Sequence, residues 1–90
     1  MRELRDLAGV GPAMLRDFEM LGIGSVNQLA KQDGLKLYRR LEKLTARRQD
    51  PCVLDVFRCA VAQAADPQLP LDQRNWWWWS RERKAGRLTE

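Results

Sequence analysis

The stretch Leu7-Ala8-Gly9-Val10-Gly11-Pro12 sets two glycines around one valine, with a proline behind them, between two segments of helical pattern. No other part of the chain constrains the backbone as tightly. Glycine takes positive φ without steric cost and, lacking a side chain, lets another backbone or a ligand approach closely. A sharp reversal is therefore cheap here. Pro12 suits the first turn of a following helix, where its missing N–H would be unpaired anyway and its fixed φ is already helical. A helix N-terminus carries unpaired N–H donors and roughly half a positive charge, and successive turn N–H groups form a concave anion nest. The chemistry on offer is capture of a phosphate or carboxylate without a side-chain catalyst.

Both flanks are helical. Before the hairpin, Leu4 and Leu7 lie three apart among Arg2, Glu3, Arg5 and Asp6, which suits one or two amphipathic turns. After it, Met14, Leu15, Phe18 and Leu21 recur at the spacing of one buried helix face. Gly22 ends that helix, as glycine commonly does just past a C-terminus, and Ser25-x-x-Gln28 forms a capping box for a further short helix through Val26 and Leu29.

Leu7, Gly9, Val10, Gly11, Pro12, Phe18, Leu21, Gly22, Ile23, Val26 and Leu29 together resemble a helix-hairpin-helix motif, the DNA-binding element of many repair and recombination proteins. The resemblance implies that hairpin N–H groups from Val10 to Ala13 meet a DNA phosphate without reading sequence, in some cases through a monovalent cation. Leu37-Tyr38, Asp50-Pro51-Cys52 and Val56-Phe57-Arg58-Cys59-Ala60-Val61 look more specifically like the small bacterial pathogenicity-locus family, some members of which are labelled mitomycin-resistance proteins. That likeness covers about residues 4 to 65, and the chain is also similar to the C-terminal domain of the TfoX competence regulators. A role in DNA repair or competence is implied. The chain departs from the motif at Ala8, Ala13 and Leu15, where Pro, Lys and a small Ala are common. Ala13 removes a phosphate-contacting charge, Asp17 adds an opposing one, and Leu15 implies a wider separation of the two helices.

Ninety residues make one domain with room for one core. There is no apolar run near the roughly 18 residues of a membrane span, and the charged N-terminus is unlike a signal peptide. A cytoplasmic location is expected. The net charge of +4 comes from 11 basic and 8 acidic groups in residues 1–65, and 5 and 4 in residues 66–90. The excess is small; its placement says more. Leu37, Tyr38, Leu41 and Leu44 form the apolar face of a helix capped by Asp33, while Lys36, Arg40, Lys43 and Arg47 follow one another at four, three and four. Such a stripe is either an ordinary solvated face or a set of phosphate contacts, which give affinity without sequence information and weaken steeply with salt.

Asp50-Pro51 opens the last strong helix, with an N-cap followed by proline at the first helical position. Cys52, Val53, Val56, Phe57, Ala60, Val61 and Ala64 make its broad apolar face, and Asp66-Pro67 ends it. On one helix the two cysteines lie about 10 Å apart, too far for a disulfide, and two thiols without histidine are too few for a structural zinc site. Both are expected to be buried as small hydrophobes. The absence of histidine removes the commonest general base, and no carboxylate pair sits near a nucleophile. No catalytic activity is expected.

Trp76-Trp77-Trp78-Trp79 cannot all face one way in a helix, where successive side chains are rotated by about 100°. Either alternate rings cover the core, or they stack on bases beside Arg81, Arg83, Lys84 and Arg87, or they meet a protein or a second copy.

The expected architecture is all-α: about five short helices, with the helix-hairpin-helix element in a SAM-like bundle over residues 1–65 and a Pro/Trp/Arg-containing extension over 66–90. The expected function is non-catalytic, sequence-independent DNA binding, duplex or single-stranded. Its contacts would be Gly9, Val10, Gly11, Pro12, Ala13 and Arg16, with Lys36, Arg40, Lys43 and Arg47 assisting. The alternative is a SAM-like adaptor that binds protein through Trp76 to Trp79. No metal or cofactor is expected beyond a monovalent cation at the hairpin, and the oligomeric state stays open.

Overall fold

The computed structural model describes residues 1–88 and is all-helical. A 3₁₀ turn (Leu4–Asp6) leads to the hairpin and to α1 (Pro12–Met20), α2 (Val26–Ala30), α3 (Gly34–Thr45) and α4 (Pro51–Ala65). A second 3₁₀ turn (Leu71–Arg74) precedes α5 (Trp76–Lys84). The segment before the hairpin is a single 3₁₀ turn, the lower bound of the one or two turns expected, and its Leu4 is buried.

Side chains start these helices where the sequence places them. Ser25 Oγ accepts from Gln28 N–H (3.1 Å), Asp33 Oδ1 from Lys36 N–H (3.1 Å) and Asp50 Oδ1 from Cys52 N–H (2.9 Å). Each satisfies a donor that the first helical turn leaves open. The Gln28 side chain also reaches back to accept from Gly24 N–H (2.6 Å). Gly22, at φ +78°, closes α1 with the Ile23 N–H donating to Phe18 C=O (2.9 Å), the six-to-one bond of a Schellman motif.

The end of α3 differs from expectation. Ala46 adopts the left-handed region (φ 55°, ψ 32°), and Arg47 N–H donates to Glu42 C=O (3.2 Å). The helix stops at Thr45, so Arg47 lies beyond it. Leu44, assigned to the apolar face, is 57% exposed, whereas Leu37 and Leu41 are buried.

Core packing centres on Phe18 and Phe57, whose ring centroids lie 5.6 Å apart at 31°, with Leu29, Leu37, Leu41 and Ala60 around them. Helix α4 is the hub, packed against α2, α3 and α5. It is buried on two sides: Phe57, Ala60 and Ala64 join the main core, while Leu54, Asp55 and Cys59 are buried beyond it. Cys52, expected to be buried, is exposed at the first turn of α4, and Cys59 is buried. Among the described residues no helix is long and apolar enough to cross a membrane.

Candidate nucleic-acid interface

The hairpin is a turn from Leu7 to Val10. Val10 N–H donates to Leu7 C=O (3.2 Å), and Gly9 at the third position has φ +84°. Positive φ at that position alone defines a type II turn, which calls for glycine. Leu7 and Val10 are buried and anchor the turn in the core, leaving Ala8 and Gly9 exposed.

A residue that sequence reasoning missed fixes the turn's orientation. The Gln63 side-chain amide, reaching from α4, donates to Ala8 C=O (2.9 Å) and accepts from Ala8 N–H (2.9 Å). This two-point pairing locks the peptide plane of the hairpin to α4. Arg2 adds a second link, its guanidinium donating to the carbonyls of Gln63 (2.7 Å) and Ala64 (3.3 Å). Gln63 sits inside an otherwise apolar helical run, and a buried amide in such a run needs hydrogen-bond partners; that was its only sequence signal.

Gly11 behaves differently from Gly9. It is the N-cap of α1 in extended conformation (φ −104°, ψ −173°), provides no side-chain cap, and a Cβ built on it would meet nothing within 4 Å. Neither strain nor crowding requires glycine there. Among the described residues the N–H groups of Gly9, Gly11, Ala13 and Met14 have no acceptor. Of the donors expected from Val10 to Ala13, only Gly11 and Ala13 are thus open, because the Val10 N–H is spent on Leu7 C=O and Pro12 has none. The carbonyls of Leu7, Ala8 and Gly11 each accept one N–H donor.

Arg16 is exposed one turn into α1, beside Asp17. Burial pushes the Asp17 carboxyl above its usual range, and the Arg16 charge opposes that shift. Lys36, Arg40 and Lys43 are exposed along α3. Arg40 donates through Nη2 to Leu21 C=O (3.2 Å), which puts it at the C-terminal end of α1. That end is about 12 Å along the helix axis from Ala13. Arg40 is therefore set apart from the hairpin donors.

The tryptophans divide into neighbouring pairs, and not alternately. Trp78 and Trp79 turn partly inward with ring centroids 5.0 Å apart at 71°, and Trp79 Nε1 donates to Gln73 C=O (2.8 Å). Trp76 and Trp77 remain 38% and 51% exposed. Helix α5 is held to α4 by Arg83, whose Nε and Nη2 donate to the two oxygens of the fully buried Asp55 carboxylate (2.9 and 3.0 Å). Among the described residues no three potential metal ligands come together.

Fold and site together define a small all-α protein that displays an uncapped glycine hairpin on a core helix. The chain belongs to the pathogenicity-locus family, whose model matches residues 1–85. It is 39% identical over 82 residues to the protein named mitomycin resistance protein McrB of Streptomyces lavendulae, a match that covers 91% of this chain and 74% of that relative. No solved structure matches.

Proposed function

We propose that this protein is a non-catalytic DNA-binding module of helix-hairpin-helix type, set in a SAM-like bundle, that holds backbone phosphates without reading sequence. One observation carries the reading: a cluster of acceptor-free N–H groups surrounds Gly11, a glycine that the fold itself does not require. Close approach of a phosphate to the backbone does require it. Arg16, exposed one turn into α1, is assigned to the same anion, whereas Arg40 and the α3 cations extend the contact to more distant phosphates. The name of the Streptomyces relative connects this family member to mitomycin resistance, and binding of the DNA backbone is the part we assign to the hairpin.

Fluorescence anisotropy of a labelled duplex, titrated at several salt concentrations with wild type and Gly11→Val, tests this. Binding should be non-specific, with a Kd of about 10⁻⁴ to 10⁻⁶ M at physiological salt, and should fall steeply as salt rises. Gly11→Val should weaken it at least about fivefold, while folding stability drops by less than about 1 kcal/mol, the difference expected between these residues at an N-cap. Duplex binding that survives this change unaltered sinks the proposal. The exposed Trp76 and Trp77 favour a second reading, a protein-interaction adaptor, in which no DNA of any form is bound.

A further inference from the structure

We propose that the groove between the first turn of α4 and helix α5 is a second nucleic-acid contact, a stacking site for the base of an unpaired nucleotide. This site extends the DNA reading above but uses different residues. The groove encloses about 570 Å³ and is lined by Cys52, Trp76, Trp77, Ser80, Arg81 and Lys84. Its size is within the range of small-ligand sites, roughly 300–1,000 Å³.

The helix itself creates this surface. Trp77 and Arg81 are four residues apart, as are Trp76, Ser80 and Lys84, so each indole has a polar or cationic neighbour one turn on. The Arg81 guanidinium carbon lies 5.9 Å from the Trp77 ring centroid, a cation–π arrangement. A flat indole paired with a flat cation suits a flat aromatic ring attached to an anion. An unpaired nucleotide has both parts.

Charge selects that occupant over an apolar one. No carboxylate lines the groove among the described residues. The acids nearby are engaged elsewhere: Asp50 caps α4, Asp55 pairs with Arg83, and Glu82 pairs with Arg87. Arg81 and Lys84 have no carboxylate partner among the described residues, which leaves both for phosphates. Two tryptophans exposed beside two unpaired cations are the combination by which single strands are held without sequence preference. Along α4 the groove at Cys52 and the hairpin mount at Gln63 are eleven residues apart, about 16 Å. One molecule can therefore engage a duplex phosphate and an unpaired base of the same DNA.

The experiment compares a labelled oligothymidylate of about 15 nucleotides, the upper end of common single-strand site sizes, with an abasic strand of equal length and with a duplex. Wild-type protein should bind the thymidylate about tenfold or more tightly than the abasic strand, which keeps the phosphates but has no ring to stack. Trp77→Ala should remove that difference and leave duplex binding unchanged. Gly11→Val should do the reverse, weakening the duplex and sparing the base preference. Equal binding of the thymidylate and abasic strands by wild type, a comparison that needs no variant, overturns the stacking site whatever the hairpin does. A base preference that survives in Trp77→Ala overturns it too.

Discussion

Gly34 and Gly11 show how differently one residue type can be used. A Cβ on Gly34 would lie 2.7 Å from Arg58 Cγ, 2.9 Å from its Cα and 3.0 Å from its backbone nitrogen, so α3 begins almost in contact with the backbone of α4. Gly34→Ala should therefore destabilise the protein by about 1–3 kcal/mol, read as a lower urea midpoint, because the obstacle is main chain and cannot swing aside. An unchanged midpoint would show that the helices separate freely. In sequence Gly34 is only the residue after the Asp33 cap; its reason is a partner 24 residues away, which no local pattern displays. The cysteines were half legible for a related reason. Spacing correctly put them too far apart to bridge, but only packing shows that Cys52 faces solvent while burial pushes the Cys59 thiol up to about 11. A thiol reagent at pH 8 should label one cysteine in the folded protein and the second only on unfolding. Between 9.0 and about 11 the unfolded chain gives up a proton that folded Cys59 keeps. Stability should thus decline as pH rises through that window, and Cys59→Ala should flatten the decline.

At the level of elements, the caps were plainly legible. Ser25, Asp33 and Asp50 accept the bonds that their residue types promise, and Gly9 and Gly22 take the positive φ that their positions require. The exception is the end of α3, where an alanine occupies the left-handed position that glycine usually fills, and so the basic run seemed to continue to Arg47. The second buried side of α4 was also hidden. Asp55 and Gln63 interrupt its apolar pattern, and polar residues on a helix normally mark the solvent side. Here Asp55 is fully buried and satisfied by a bidentate arginine that comes from α5, 28 residues on. Removing one partner of such a pair leaves a buried charge uncompensated, so Arg83→Ala should cost about 3–5 kcal/mol in chemical denaturation. Replacing both, Asp55→Leu with Arg83→Met, should restore most of that loss, because apolar residues of similar volume need no partner. If the double replacement is as damaging as the single one, the pair contributes by its geometry and not by compensating charge.

For the whole molecule, the issue is whether α5 is an appendage or part of the folding unit. Composition suggested a globule over residues 1–65 with an extension beyond it, since Asp66-Pro67 and Pro70 break the helical pattern there. The packing argues for a single unit. Helix α5 lies along α4 on the side that carries Leu54, Asp55 and Cys59, all 4% exposed or less, and Leu69 in the connection is itself buried. A chain ending at residue 66 would uncover that side and lose Leu69 altogether. Each fully buried aliphatic side chain is worth about 1.5–3 kcal/mol, and a domain of this size has only about 5–13 kcal/mol in total. The family match itself spans residues 1–85 and so includes α5. The truncated chain should therefore lose cooperative thermal unfolding by circular dichroism, and with it the hairpin mount, because Gln63 lies near the end of the helix left unsupported. A 1–66 chain that melts sharply within a few degrees of the full-length protein would instead make α5 an independent module. The Trp76–Trp77 groove would then be a separable device; if the truncation unfolds, the tryptophans and the hairpin are two faces of the same small core.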